Sequence, residues 1–104
     1  MDDVRTYTGT LVADLILTGS RTLKDRRAPL RALMQRLRNR HGAVAQVGPA
    51  ALRQRAFLAV TVVAGSESRA GELLDGVERT LVAAEFEVGD LRRGIQVDTF
   101  ASGR

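Results

Sequence analysis

Apolar residues alternate with polar or small residues in two segments, and this alternation predicts two strands. In residues 8–17, leucine or alanine occupies every odd position from 11 to 17, and the opposite face is mixed. Residues 55–64 are largely apolar on both faces, with aliphatic residues at the even positions from 56 to 62 on one face and Phe57, Ala59 and Val63 on the other. A strand that is apolar on both faces is typical of a sheet centre that is covered twice.

Two further strands and two helices complete the predicted order. Residues 43–47 form a short predicted strand that ends at Gly48-Pro49, and another strand falls within residues 86–99, bent around Gly89 or Gly94. The period of 3.6 residues predicts helices over about 23–40 and over 67–84.

Five residues are expected to affect the predicted helices: Pro29 in the first, and Gly71, Asp75, Gly76 and Arg79 in the second. Pro29 removes a backbone donor inside the first helix, so its first turn is expected to be kinked or irregular. Asp75 and Arg79 lie one turn apart in the second helix and are expected to pair. Two glycines in that helix are expected to permit close packing on the sheet.

The order β-α-β-β-α-β predicts an α+β fold, a ferredoxin-like two-layer sandwich with two helices on one face of an antiparallel four-stranded sheet. We expect one domain over residues 1–104, with an ordered core of about 6–99. The other sheet face would be open, and its apolar residues would be unusual on a monomer. This face is a candidate dimer or partner surface, unless the C-terminal segment folds over it. Its candidate residues are Val12, Ile16, Phe57 and Val63.

Composition narrows the chemistry that this domain can perform. The chain has 104 residues and no cysteine, which excludes disulfides, thiolate metal sites and cysteine nucleophiles. A single histidine excludes a cluster of several histidines around a metal. No apolar run approaches the roughly 20 residues that span a bilayer, and no secretory signal is evident. We therefore expect a cytoplasmic protein that is not an enzyme and that needs neither a metal nor a cofactor.

The net charge of +4 conceals an uneven distribution. Residues 21–55 hold ten basic residues against Asp25 alone, a net charge of +9, whereas the rest of the chain holds six basic and eleven acidic residues, a net charge of −5. Fifteen of the sixteen basic residues are arginine, which binds phosphate and carboxylate through two hydrogen bonds. The candidate residues for binding a nucleic acid or an acidic partner are Lys24, Arg26, Arg27, Arg31, Arg38, Arg40, Arg53 and Arg55.

Five short motifs resemble the YlxP-like family of small bacterial proteins. They are Gly9-Thr10-Leu11; SRTLKDRR at 20–27, similar to S-x-S-L-K-E-K-R; RLRNR at 36–40, similar to R-L-R-N-K; AQVG at 45–48, similar to A-E-V-G; and LRQRA at 52–56, similar to L-W-Q-R-A. Gln46 replaces the usual Glu, Arg53 replaces the usual Trp, and Pro29 interrupts the first helix. The resemblance implies a ferredoxin-like fold and an association with translation, since some members carry a ribosome-binding-factor label.

Two functions follow from these observations. The first is a non-enzymatic protein that binds RNA or the ribosome through its Arg-rich first helix. Because aromatic residues are few, it would read shape and phosphates instead of stacked bases. The alternative is a homodimeric accessory module that docks on an acidic protein, such as an enzyme of a biosynthetic pathway.

His41 and Asp14 are the remaining candidates for chemistry. His41 follows several arginines, which disfavour its protonated form. It is either a general base or a residue that interacts with the last carbonyls of the first helix. Asp14 is either a buried catalytic carboxylate or a partner of Arg55 or of the basic helix. Arg55 itself either extends the basic surface or pairs with an acid such as Asp14.

Overall fold

The computed structural model describes residues 3–17, 23–49 and 54–102, without the side chains of residues 23–27. Its four strands form one antiparallel sheet in the order β2-β3-β1-β4, which confirms the predicted ferredoxin-like sandwich. The elements are β1, Val4–Ile16; α1, Leu23–Arg40; β2, Ala43–Val47; β3, Arg55–Ala64; α2, Glu67–Ala83; and β4, Glu87–Phe100.

The strand β1 begins earlier than the predicted residue 8. Its first residues pair with the end of β4, from Val4 opposite Phe100, whereas β3 pairs with β1 only from Tyr7 opposite Ala64. The pattern of apolar and polar residues could not predict this extension, because it is stabilised by backbone hydrogen bonds to β4 and not by side chains buried in the core. The molecule is elongated as a result, with extents of 59 × 24 × 22 Å.

The hydrophobic core lies between one sheet face and the two helices. The predicted inward positions of β1 and β3 are buried there, against leucines of α1 and the apolar stripe of α2. The largest fully buried side chains are Leu11, Leu15, Leu33, Leu37, Leu58, Val60, Leu74, Val77 and Leu81. Neither helix of the described ranges combines the length and the apolar content that crossing a bilayer requires.

Two glycines allow close approach between elements. A Cβ atom at Gly9 in β1 would lie 2.9 Å from Cδ1 of Leu74, so Gly9 lets α2 pack closely on the sheet. A Cβ atom at Gly42, in the turn between α1 and β2, would collide with the carbonyl oxygen of Thr61. Glycine is the residue that avoids such collisions, because it has no Cβ atom.

Both helices end close to their predicted limits. The structure has one helix from Leu23 to Arg40 with Pro29 inside it, although Pro29 offers no N–H to the carbonyl one turn earlier. The helix stops as predicted before Gly42. The Oγ of Ser66 caps α2 by accepting a hydrogen bond from the backbone N–H of Arg69 at 3.1 Å.

Candidate functional site

The sheet face opposite the helices is open. The alternative that the C-terminal segment covers it is wrong over the described residues, because Glu87–Phe100 forms the edge strand β4. Val12, Ile16 and Phe57 are half-buried near one end of the face. Val63 is 67% exposed, and it is separated from Phe57 by Ala59 and Thr61 on the same face of β3. The four candidate residues therefore share a face without forming one continuous patch.

Asp14 lies near the same end of this open face, between Val12 and Ile16 on β1. It stands opposite Phe57 on β3 and Asp90 on β4. Its Oδ2 atom lies 3.3 Å from Nη2 of Arg55, which confirms the predicted pair. Asp90 accepts a hydrogen bond from Nε of Arg92 at 3.0 Å. Each acid of this cluster thus has its own arginine, and the cluster carries no net charge.

The imidazole ring of His41 contacts α2, whereas its backbone N–H donates to the carbonyl of Leu37 in α1 at 2.8 Å. Its Nε2 atom lies 2.7 Å from Oγ1 of Thr80, and that hydroxyl donates to the carbonyl of Gly76 at 3.3 Å. Burial lowers the pKa of His41 from its usual value, and the positive charges of Arg40 and Arg79 lower it further. No carboxylate orients the ring among the described residues, which gives the general-base interpretation no support.

The two glycines of α2 make room for side chains and not for the sheet. A Cβ atom at Gly76 would lie 3.4 Å from Cε1 of His41. At Gly71 the nearest atom would be Nη2 of Arg93, which donates to the Gly71 carbonyl at 2.9 Å. Nη1 of Arg93 donates to Oδ1 of Asp75 at 2.8 Å. The expected pair of Asp75 with Arg79 is therefore replaced by a longer-range pair with β4.

Arginines on α1 form the main cationic surface of the described chain. Arg31, Arg36, Arg38 and Arg40 are all exposed, and none has a carboxylate oxygen within 4.0 Å among the described residues. Arg38 donates to the carbonyl of Val44, at 3.4 Å. Among the side chains that the structure describes, the ion-paired arginines are Arg55, Arg69, Arg92 and Arg93, which lie on other elements than α1. We call the four exposed arginines of α1 the α1 arginines.

The structure brings some of the predicted basic residues together and separates others. Arg31, Arg38 and Arg40 lie on α1, and Lys24, Arg26 and Arg27 belong to the same helix, although their side chains lie outside the described part. Arg53 also lies outside the described residues.

Arg55 lies on the other layer of the sandwich. It occupies the open sheet face beside Asp14, whereas α1 covers the opposite face. The sequence predicted Arg79 of α2 as a partner of Asp75 and not as part of the basic surface, but its charge acts on His41 and so places it near the end of α1. Its exposed position in the helical period was the only signal that the sequence offered.

The described residues provide no evident metal site. Among them, no three side chains of His, Cys, Asp or Glu are grouped so that they could hold an ion. A shallow pocket of ≈ 340 Å³ on the open face is lined by Val12, Asp14, Phe57, Asp90 and Arg92. Its two acids are already ion-paired, by Arg55 and Arg92.

Comparisons with known proteins place the chain in a family and support its fold. A family model described as "Protein of unknown function (DUF503)" matches residues 8–93. No curated protein matches the chain. Among solved structures, the structural-genomics protein YJCS is similar with a TM-score of 0.52 and 11% identity, covering 84% of this chain and 96% of its own. The de novo designed protein Foldit4 has a TM-score of 0.41 and 5% identity, covering 90% of this chain and 96% of its own.

Proposed function

Because the chain belongs to the DUF503 family, whose function is unknown, we propose a function from the distribution of its charges: the protein binds structured RNA through α1 and catalyses no reaction. One observation carries this proposal. The four α1 arginines have no carboxylate partner among the described residues, whereas the arginines at 55, 69, 92 and 93 each have one. Arg5 and Arg79 also lack one there, but they lie singly on β1 and α2, so α1 alone presents such arginines as a group. Four exposed guanidinium groups on one helix are therefore available to an external anion.

The α1 arginines lie on two opposite flanks of the helix, so they can contact phosphates on both sides of it. Arg31 and Arg38 fall on one flank of α1 at 100° per residue, and Arg36 and Arg40 fall on the other. From Arg31 to Arg40 the helix rises by about 14 Å. A helix laid along a groove of duplex RNA would direct its two flanks toward the two phosphate backbones. Such contacts recognise shape and charge, as is common for double-stranded RNA.

The open sheet face is a poorer surface for RNA. Its arginines at 55 and 92 are neutralised by Asp14 and Asp90, and Asp98 adds a negative charge that repels phosphates. Recognition of single-stranded RNA uses aromatic side chains on which bases stack. On the strands of this face, Phe57 lies near one end of β3 and Phe100 lies at the opposite end of the sheet, so the two aromatic rings form no stacking surface. The proposed site is therefore on the helical layer.

The five sequence motifs support a finer assignment. They favour a YlxP-like protein within the family, and the translation association of such proteins makes ribosomal RNA in the cytoplasm the proposed target. The replacement of Glu by Gln46 removes an acid close to the basic segment, which is consistent with an anionic partner.

Binding to a fluorescent RNA hairpin, measured by anisotropy over a series of KCl concentrations, tests the proposal. Four phosphate contacts would make log K fall against log salt with a slope of roughly −3 to −4. The double variant Arg31→Gln/Arg38→Gln is expected to bind more weakly. Its slope of log K against log salt should be less negative by about 2, because two phosphate contacts are lost.

A matched control separates a site on α1 from a general effect of charge. Arg5→Gln/Arg69→Gln removes the same two positive charges from exposed positions outside α1, and it should retain most of the affinity. Equal losses in the two double variants would overturn the proposal. Tighter binding to polyglutamate than to the hairpin would also overturn it, in favour of an acidic protein partner.

A further inference from the structure

The strand β4 is a long edge strand. It pairs with β1 from Glu87 to Phe100, and the described part of the chain supplies no strand for its other edge. The opposite edge strand, β2, has only five residues, Ala43–Val47. Proteins usually protect such edges with short strands, prolines, bulges or lysines. In β4 the one irregularity of pairing lies at Gly89, so Asp90–Phe100 is eleven residues of regular strand without proline or lysine.

Apolar side chains lie along this edge among four charged residues of the regular part of β4, Asp90, Arg92, Arg93 and Asp98. On the helix-facing side, Val97 is 46% exposed and Ile95 is half-buried against the core, and on the open face Phe100 is 56% exposed. On the same helix-facing side, Arg93 is directed to α2 by its bonds to Asp75 and Gly71. Its charge therefore does little to shield the edge from another strand.

We propose that two copies of the chain pair antiparallel through β4, with Ile95 on the two-fold axis. This proposal is independent of RNA binding. Two sheets would join into one of eight strands, and the backbone groups of both edges would be satisfied. On the open face, Arg92 would stand opposite Asp98 of the partner subunit. The symmetry repeats this pair of opposite charges, because Asp98 would stand opposite the partner subunit's Arg92.

The charges along β4 select this register among its neighbours. Residues that pair must lie on the same sheet face, so the axis passes through one residue and its copy. An axis at Gly94 would oppose Asp90 to Asp98 of the partner subunit, which are like charges. An axis at Arg93 would place this residue opposite Arg93 of the partner subunit, which again are like charges. An axis at Gln96 would form no pair of opposite charges, and it would shorten the overlap.

The side chains around an axis at Ile95 are compatible with close pairing. Ile95 would meet its own copy on the helix-facing side. On the open face, Gln96 would lie beside Gly94 of the partner subunit, and a Cβ atom at Gly94 would have no neighbour within 4 Å. Val97 would cover the aliphatic stem of Arg93 of the partner subunit, which buries exposed apolar surface.

The molecular mass in solution tests the dimer, and charge reversal tests its register. Sedimentation equilibrium should give twice the monomer mass of 11.3 kDa. Arg92→Asp and Asp98→Arg should each shift the protein to monomer, while the combined variant should restore the dimer. Arg69→Glu with Glu72→Arg reverses an exposed pair on α2 and should leave the dimer intact. Circular dichroism checks that each variant is folded.

Single cysteines locate the axis, because the natural chain has none. Residues directly opposite in an antiparallel pair have Cα atoms about 4.5–5.5 Å apart, which suits a disulfide. Ile95→Cys should therefore crosslink to its copy on mild oxidation, and Thr99→Cys should not. A monomeric wild type, or a dimer that survives both single charge reversals, overturns the proposal. So does a dimer that is lost in Phe57→Asp and kept in Arg92→Asp, which would place the contact on the open face.

Discussion

His41 at the end of α1 and Thr80 in α2 form a hydrogen bond of 2.7 Å that joins the two helices. Because the Thr80 hydroxyl donates its hydrogen to the carbonyl of Gly76, it accepts from the Nε2–H group of His41. The neutral ring then keeps its lone pair on Nδ1. Protonation of Nδ1 would add a positive charge beside Arg40 and Arg79.

The first prediction concerns pH. Folding lowers the pKa of His41, chiefly through burial, so the unfolded chain binds the proton more tightly. The contribution of His41 to stability is therefore complete above the unfolded pKa of about 6.5, and it is lost as pH falls through the lower pKa of the folded state. Urea unfolding at pH 7.5, 6.5 and 5.5 should show this loss.

The variant His41→Gln isolates that contribution. Glutamine does not titrate and still offers an N–H group to Thr80. The free energy of unfolding should therefore change less between pH 7.5 and 5.5 in His41→Gln than in the wild type. An identical change in the two proteins would show that other groups cause it.

The second prediction concerns the turn between α1 and β2. Gly42→Ala should destabilise the protein by about 1–3 kcal/mol, because the added Cβ meets the backbone oxygen of Thr61, which cannot rotate away. Gly65→Ala is the control, since its Cβ would have no neighbour within 4 Å. Its effect should lie within about 0.5 kcal/mol. Chemical denaturation measures both, and equal effects would contradict the close contact at Gly42.

The third prediction concerns the pair of Asp14 and Arg55. The Asp14 side chain is 13% exposed and that of Arg55 is 53% exposed. Arg55→Gln leaves a nearly buried carboxylate without its counter-charge, so it should destabilise the protein more than Asp14→Asn, which leaves a hydrated arginine. A double-mutant cycle should give a coupling energy of about 0.5–1 kcal/mol. A coupling of zero would mean that the ion pair contributes nothing in solution.

The fourth prediction concerns the start of α2. The Oγ atom of Ser66 accepts from the N–H of Arg69, so Ser66→Ala should cost about 1 kcal/mol. Ser68→Ala removes a similar hydroxyl from an exposed position inside the helix, where it should change stability by less than about 0.5 kcal/mol. Thermal unfolding of the two variants compares them directly. The cap assignment fails if Ser68→Ala is the more damaging change.

Much of the fold was predictable because local patterns and the core agree. The period-two burial in β3 and the period of 3.6 residues in α2 follow from facing one shared core, so the residue pattern records both. The first residues of β1 show no alternation of apolar and polar residues that would predict a strand. They are strand because β4 is available to pair with them, which is a long-range property.

The candidate site was predictable only in part. Clustering of arginine near residues 21–55 is visible in the sequence, and so is the pairing of Asp14 with Arg55 as one of several options. The sequence could not separate the arginines that have partners from those that do not. Arg93 reaches Asp75 across 18 positions, and this contact depends on how α2 crosses β4.

By itself, therefore, the sequence determined the order of elements, the face that each buries and the concentration of positive charge on α1, because these depend on local periodicity and composition. Only the tertiary structure decided which charges neutralise each other, that Arg55 lies on the opposite layer from the α1 arginines, and that β4 presents a free edge within the described residues. Those properties depend on distances between segments far apart in the chain, which no local pattern encodes.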